Sequence, residues 1–151
     1  MKITKRAFFA TIALIPFAMF AGMNSAKADD MGAEHKVVIQ ISSGNPADQK
    51  LALNNAVNVS KSFGPGEVAI EVVAYGPGLS VLTKSSKNKE AQRVASLAKS
   101  DITFSACGNT MKAMEKKTGK KPVLIDGVKV VPAGVVRIME LQKQGYAYIR
   151  P

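Results

Sequence analysis

Between residues 36 and 149, short apolar runs rich in β-branched residues alternate with segments of helical period, and Gly or Pro marks most of the changes. This alternation constrains the fold more than any other feature, because each kind of segment must bury a different shape of apolar surface. Residues 36–41 (Lys-Val-Val-Ile-Gln-Ile) read as a strand closed by the turn Ser42-Ser43-Gly44-Asn45-Pro46. Asn45 suits a helix N-cap and Pro46 the first helical position, so a helix is predicted to run to about Phe63 and stop at Gly64-Pro65-Gly66. A second strand spans 68–75, and Gly76-Pro77-Gly78 then leads into a short helical turn at 79–82. Residues 90–99 carry apolar side chains at Ala91, Val94, Ala95 and Ala98, the stripe of an amphipathic helix. Strand 102–106, helix 109–118 with Gly119 as its stop, and strand 128–131 follow. The last helix, 133–144, is expected to turn Val135, Ile138 and Met139 inward before Gly145, and the last strand is 146–149.

Alternation of this kind implies an α/β fold, with βαβ crossovers, a mainly parallel five-stranded sheet and helices on both faces. The strands' nearly continuous apolar character agrees, since a parallel sheet is buried on both sides. Chemistry in such a sheet gathers outside the carboxyl ends of the strands. Four turns should converge there: 42–45, 75–78, 107–110 and 132–134.

The sole cysteine, Cys107, falls in the third of these turns, where an apolar strand ends and a helix opens at Gly108. A thiol beside the N–H groups of a helix N-terminus is biased toward its thiolate. Gly108, Asn109 and Thr110 would offer N–H groups to an anionic sulfur, and Gly76 and Gly78 would form the opposing wall. Ser43, Asn45 and Tyr75 complete the candidate ligand-binding set at the strand ends. His35, the only histidine, precedes the first strand. A six-residue strand spans roughly 20 Å, so His35 is placed too far away to be a base for Cys107 within one chain. No Cys/His cluster has metal-ligand spacing, no phosphate-binding glycine motif is present and no cofactor is implied. The carboxylates Glu67, Glu71, Asp101, Glu115 and Asp126 are dispersed and form no acid/base pair. Asn54, Asn55 and Asn58 are unusual inside a helix and read equally as exposed or as serving a subunit interface or the site. Met111 and Met114 read as core.

The first residues suggest export. Lys2, Lys5 and Arg6 form a basic start, residues 7–22 an apolar run, and Ala26-Lys27-Ala28 a small-x-small cleavage pattern. A signal peptide cleaved after Ala28 is expected, then a polar linker at 29–34 and one domain over 35–151, in the periplasm and without stable membrane insertion. The apolar run is shorter than the ~20 residues of a membrane-spanning helix, which sets an uncleaved anchor second. Thr4-Lys5-Arg6-Ala7-Phe8-Phe9 resembles a twin-arginine signal with lysine in the first arginine position, so both export routes stay open. Four of the 21 basic residues would leave with the signal and all 11 acidic residues would stay, so the net +10 becomes 17 minus 11, or +6. The lysines are scattered, Trp is absent, and Lys116, Lys117, Lys120 and Lys121 read as a solvated helix end, so no nucleic-acid partner is expected.

Leu53-Asn54-Asn55-Ala56-Val57-Asn58, Val73-Ala74-Tyr75-Gly76-Pro77-Gly78-Leu79, Ala106-Cys107-Gly108-Asn109-Thr110-Met111 and Val131-Pro132-Ala133-Gly134-Val135 occur in that order, and Gly145-Tyr146-Ala147-Tyr148-Ile149 closes the chain's pattern. Together they resemble the exported branch of the DsrE/DsrF-like proteins over residues 35–151. The resemblance implies a three-layer α/β/α sandwich related to Rossmann and flavodoxin folds, and a homotrimer or homohexamer. In sulfur-handling members, a cysteine at the end of a central strand carries sulfur as a persulfide and passes it to a partner protein. Cys107 matches that position. The first expectation is therefore a sulfur carrier rather than a turnover enzyme, for which no acid/base partner is found. The alternative is a non-catalytic small-ligand-binding or structural oligomer with a buried, unreactive cysteine. Redox sensing through Cys107, or an intersubunit disulfide, is the third reading.

Overall fold

The computed structural model describes residues 32–151. The expected signal peptide and its cleavage site lie outside the described residues. Five strands, β1 (His35–Ile41), β2 (Val68–Ala74), β3 (Ile102–Cys107), β4 (Lys129–Val131) and β5 (Ala147–Ile149), alternate with four α-helices. The helices are α1 (Pro46–Phe63), α2 (Lys89–Leu97), α3 (Gly108–Thr118) and α4 (Gly134–Lys143), and a 3-10 helix spans Gly76–Leu82. The sheet order is β4-β3-β2-β1-β5, and every neighbouring pair is parallel.

This order explains the layering. From β1 to β4 the chain steps steadily in one direction, so right-handed crossovers place their helices on one face. The step from β4 back to β5 reverses direction and carries α4 to the other face. Two apolar cores follow. Leu53, Ala56, Leu79, Val94, Phe104 and Met111 belong to the larger, beneath α1, α2, the 3-10 helix and α3. Val38, Val73, Ile138, Leu141 and Tyr146 form the smaller, beneath α4. β1 and β2 supply alternate residues to the two cores, while β3 gives Ile102, Phe104 and Ala106 to the larger and turns the polar Ser105 toward Glu71 on the other side.

Local chemistry sets the ends of the elements. Asn45 Oδ1 accepts from the Ala47 N–H at 2.9 Å and Pro46 begins α1. Asn88 likewise caps α2, accepting from the Glu90 N–H at 3.1 Å. Gly119 closes α3 in the left-handed conformation at φ 71°, where a side chain would be strained.

One expectation is corrected. Val135 and Met139 do not face inward; they are 57% and 55% exposed, whereas Ile138 and Leu141 are buried. The inward stripe is Gly134, Ile138 and Leu141. The helix is turned this way because Arg137 reaches a buried carboxylate, Glu71, and Gly134 packs directly on Tyr75 and Cys107.

Candidate functional site

In an open parallel sheet, a crevice opens where adjacent strands send their connections to opposite faces. Here that point lies between β3 and β4: α3 leaves β3 toward one face, and α4 leaves β4 toward the other. Cys107 is the last residue of β3 and the N-cap of α3, paired in register with Val131, the last residue of β4. It therefore stands at the switch point, with the N-termini of two helices beside it.

The turns around the sulfur interlock. The Asn109 N–H donates to the Pro132 carbonyl at 3.2 Å, tying the start of α3 to the turn beyond β4. A Cβ on Gly108 would lie 3.2 Å from the Val131 carbonyl oxygen. One on Gly134 would lie 3.0 Å from Tyr75 Cδ1 and 3.3 Å from Cys107 Cβ, so glycine permits the start of α4 to close over the thiol. From the other side, the Gly76 N–H donates to Thr110 Oγ1 at 3.0 Å.

Cys107 is 6% exposed. Burial by itself raises a thiol's pKa. It is outweighed here by the Thr110 hydroxyl and by the N–H groups of Gly134, Thr110 and Asn109, which hold the thiol below its ordinary value of 9.0. Cys107 makes no side-chain capping bond of the kind an oxygen makes; the downward shift comes from hydrogen-bond donors set around the sulfur, the Thr110 hydroxyl foremost. The neighbouring Tyr75 phenol is shifted upward, by burial first and by Tyr148 second. Two cavities flank the crevice. One, about 430 Å³, lies beside α4 and is lined in part by Glu71, Ser105, Lys129, Pro132 and Arg137. The other, about 300 Å³, lies beside α3 between Pro77, Thr110, Ala113, Met114 and Lys117.

The structure thus brings Tyr75, Gly76, Gly108, Asn109 and Thr110 to the surroundings of Cys107. Ser43 and Asn45 lie elsewhere on the same edge. They follow β1, two strands from β3, which is roughly 10 Å at ordinary strand spacing. Their hydrogen bonds are local: Ser43 Oγ accepts from the Asn45 N–H at 3.1 Å, and Asn45 caps α1. Gly78 packs where a Cβ would stand 2.3 Å from the Ile41 carbonyl oxygen, which gives it a structural reason to be glycine. Asn54 accepts from Arg93 Nη2 at 3.0 Å, joining α1 to α2; Asn58 is exposed. His35 stacks on Phe63 with ring centroids 3.9 Å apart, at the far end of β1. Sequence reasoning missed Glu71 as a buried partner of Arg137 and Ser105, and Gln49, which is 1% exposed and donates to the Ser43 carbonyl and Ser80 Oγ. A polar residue inside an otherwise apolar strand was the available signal for Glu71. Among the described residues, no three His, Cys, Asp or Glu side chains gather as a metal site would need.

Comparison with known proteins adds to this geometry. The model of the DsrE/DsrF-like family matches residues 35–151. A solved structure of a protein of unknown function, MTH1491 from Methanobacterium thermoautotrophicum, is 34% identical with a TM-score of 0.69. That likeness covers 78% of this chain and 100% of the other. No curated protein matches.

Proposed function

Because the chain belongs to the DsrE/DsrF-like family, whose membership suggests sulfur relay in general, we propose that it carries sulfane sulfur as a persulfide on Cys107. The observation that carries this reading is the placement of the one thiol at the β3/β4 switch point, facing N–H groups from the starts of both α3 and α4. In the step proposed, the Cys107 thiolate attacks the outer sulfur of a persulfide donor. The Cys107 S–S bond forms, the donor's S–S bond breaks, and the donor leaves as a thiolate. An acceptor thiolate then attacks the sulfur held on Cys107, which returns as the leaving thiolate. No net oxidant is consumed, and the groups that favour the thiolate serve it both as nucleophile and as leaving group. Residues 1–28 support an exported, periplasmic setting for this chemistry, and the carrier would work as a homo-oligomer with a donor or acceptor protein.

The test is intact-mass spectrometry after treatment with inorganic polysulfide and removal of excess reagent. The wild type should gain sulfur and Cys107→Ser should not. A wild-type protein that gains none ends the proposal.

The 6% exposure of Cys107 favours a second reading, in which the cysteine is a small apolar filler of a non-catalytic oligomer. A thiol inert to alkylation in the folded protein and reactive in denaturant would select it.

A further inference from the structure

Glu71 sits near the middle of β2, is 4% exposed, and has no part in the sulfur chemistry above. Arg137 Nε donates to its Oε1 at 2.9 Å and Arg137 Nη2 to its Oε2 at 2.8 Å. Ser105 Oγ donates to Oε1 at 2.6 Å. A fork-to-fork pair of this kind fixes orientation as well as distance. It is weak evidence for stability, since desolvating both ions offsets much of their attraction. Its position needs another reason, and the first turn of α4 offers one.

Gly134 is the first residue of α4 and Arg137 the fourth, a rise of roughly 4.5 Å. Apart from the close packing of Gly134 on Tyr75 and Cys107 and the Asn109–Pro132 hydrogen bond just before it, that turn has little to hold it. Val135 and Val136 are 57% and 47% exposed, the buried Ile138 and Leu141 come later, and Ala133 provides no side-chain cap. Yet this is the turn that approaches Cys107 closely: a Cβ on Gly134 would stand 3.0 Å from Tyr75 Cδ1 and 3.3 Å from Cys107 Cβ, tighter than ordinary contact. We propose that the Glu71–Arg137 pair is a latch that holds the first turn of α4, and with it the Gly134 N–H, over the Cys107 sulfur. Glu71 and Arg137 are then positioning residues, acting on the sulfur through Gly134; their purpose, though not their geometry, rests on the carrier reading. Opening the latch would uncover the sulfur and remove one of the groups that favour its anion, so access and nucleophilicity are coupled. The other titratable or charged groups at this corner are Tyr75 at the end of β2, Glu140 beside Arg137 at 3.6 Å, and Lys129 on β4.

The test is the pH–rate profile of Cys107 alkylation by iodoacetamide in the folded wild type, Arg137→Gln, Glu71→Gln and Arg137→Lys, with folding checked by circular dichroism. Arg137→Gln should raise the midpoint by about one pH unit as the Gly134 N–H is displaced. Its alkaline plateau rate should rise about threefold or more as the cover loosens. Glu71→Gln should behave alike, and Arg137→Lys, which keeps the charge without the fork, should fall between. A folded Arg137→Gln with the wild-type midpoint and plateau overturns the latch. If both Gln variants fail to fold, Arg137→Lys decides: a displaced profile supports the latch and a wild-type profile overturns it. The carrier reading is judged separately, by whether wild type takes up sulfur from polysulfide; the difference between profiles reads the latch in either case.

Discussion

At the residue scale, the environment of Cys107 sets one thiol against a small number of donors, of which the Thr110 hydroxyl is a side chain and the others are backbone N–H groups. The folded protein should alkylate with a midpoint below the ordinary 9.0 of the thiol. The sign of the linked stability follows. A group whose folded pKa is depressed adds stability that is fully present above the unfolded value and is lost as pH falls through the folded value. Melting temperature should therefore rise between the folded midpoint and about pH 9 in wild type, and this increment should vanish in Cys107→Ala; parallel pH–melting curves for the two proteins would refute it. Thr110 offers a second test. Its hydroxyl oxygen accepts from the Gly76 N–H, which leaves its proton for the sulfur. Thr110→Val removes both interactions and should raise the alkylation midpoint while costing about 1–2 kcal/mol for the partly buried N–H left without an acceptor. Thr110→Ser should restore both, as read by denaturant melts and the same alkylation profile.

At the element scale, the legible and the illegible separate by range. The strand and helix order could be read from the sequence because it depends on neighbours: β-branched runs, Asn45-Pro46 opening α1, Gly119 closing α3. The junction at Cys107 was legible for the same reason. The strand order was not, since it rests on pairings such as His35 with Val68 and Cys107 with Val131. Without it, four turns could be sent to one edge, but Ser43 and Asn45 could not be separated from the β3/β4 crevice. The inward face of α4 was misread because Val135 and Met139 satisfy helical period, while the deciding contact, Arg137 on Glu71, spans 66 residues. Gly78 shows how tightly the 3-10 helix is set against the edge of β1: its N–H donates to the Ser42 carbonyl at 3.1 Å, and a Cβ would meet the Ile41 carbonyl oxygen at 2.3 Å. That neighbour is backbone and cannot turn aside. Gly78→Ala should cost about 3 kcal/mol or prevent folding, whereas Gly32→Ala, with nothing within 4 Å, should be neutral in the same urea titration.

At the scale of the whole molecule, the two faces of the sheet are unequally covered. One carries α1, α2, the 3-10 helix and α3; the other carries α4 alone, with the smaller core beneath it. A parallel sheet is ordinarily buried on both faces, and the thinly covered side shows the cost. On that side Val135, Val136 and Met139 on α4 are 57%, 47% and 55% exposed, while Val130 on the edge strand β4, 58% exposed, turns to the opposite face with its register partner Ala106. Exposed apolar residues in such number, beside an edge strand of only three residues, are what a contact between copies would cover. A closed ring built from one repeated contact would bury them without leaving a free edge. Light scattering on the purified domain should therefore give a mass that is a multiple of one chain. Val135→Glu combined with Met139→Glu should shift it to the single-chain mass while leaving the circular dichroism spectrum unchanged, because both side chains already point away from the core. A wild-type protein of single-chain mass at all concentrations would leave this surface without an occupant. If the variant instead keeps the assembled mass, the contact lies elsewhere, and the start of α4 would face solvent in every copy.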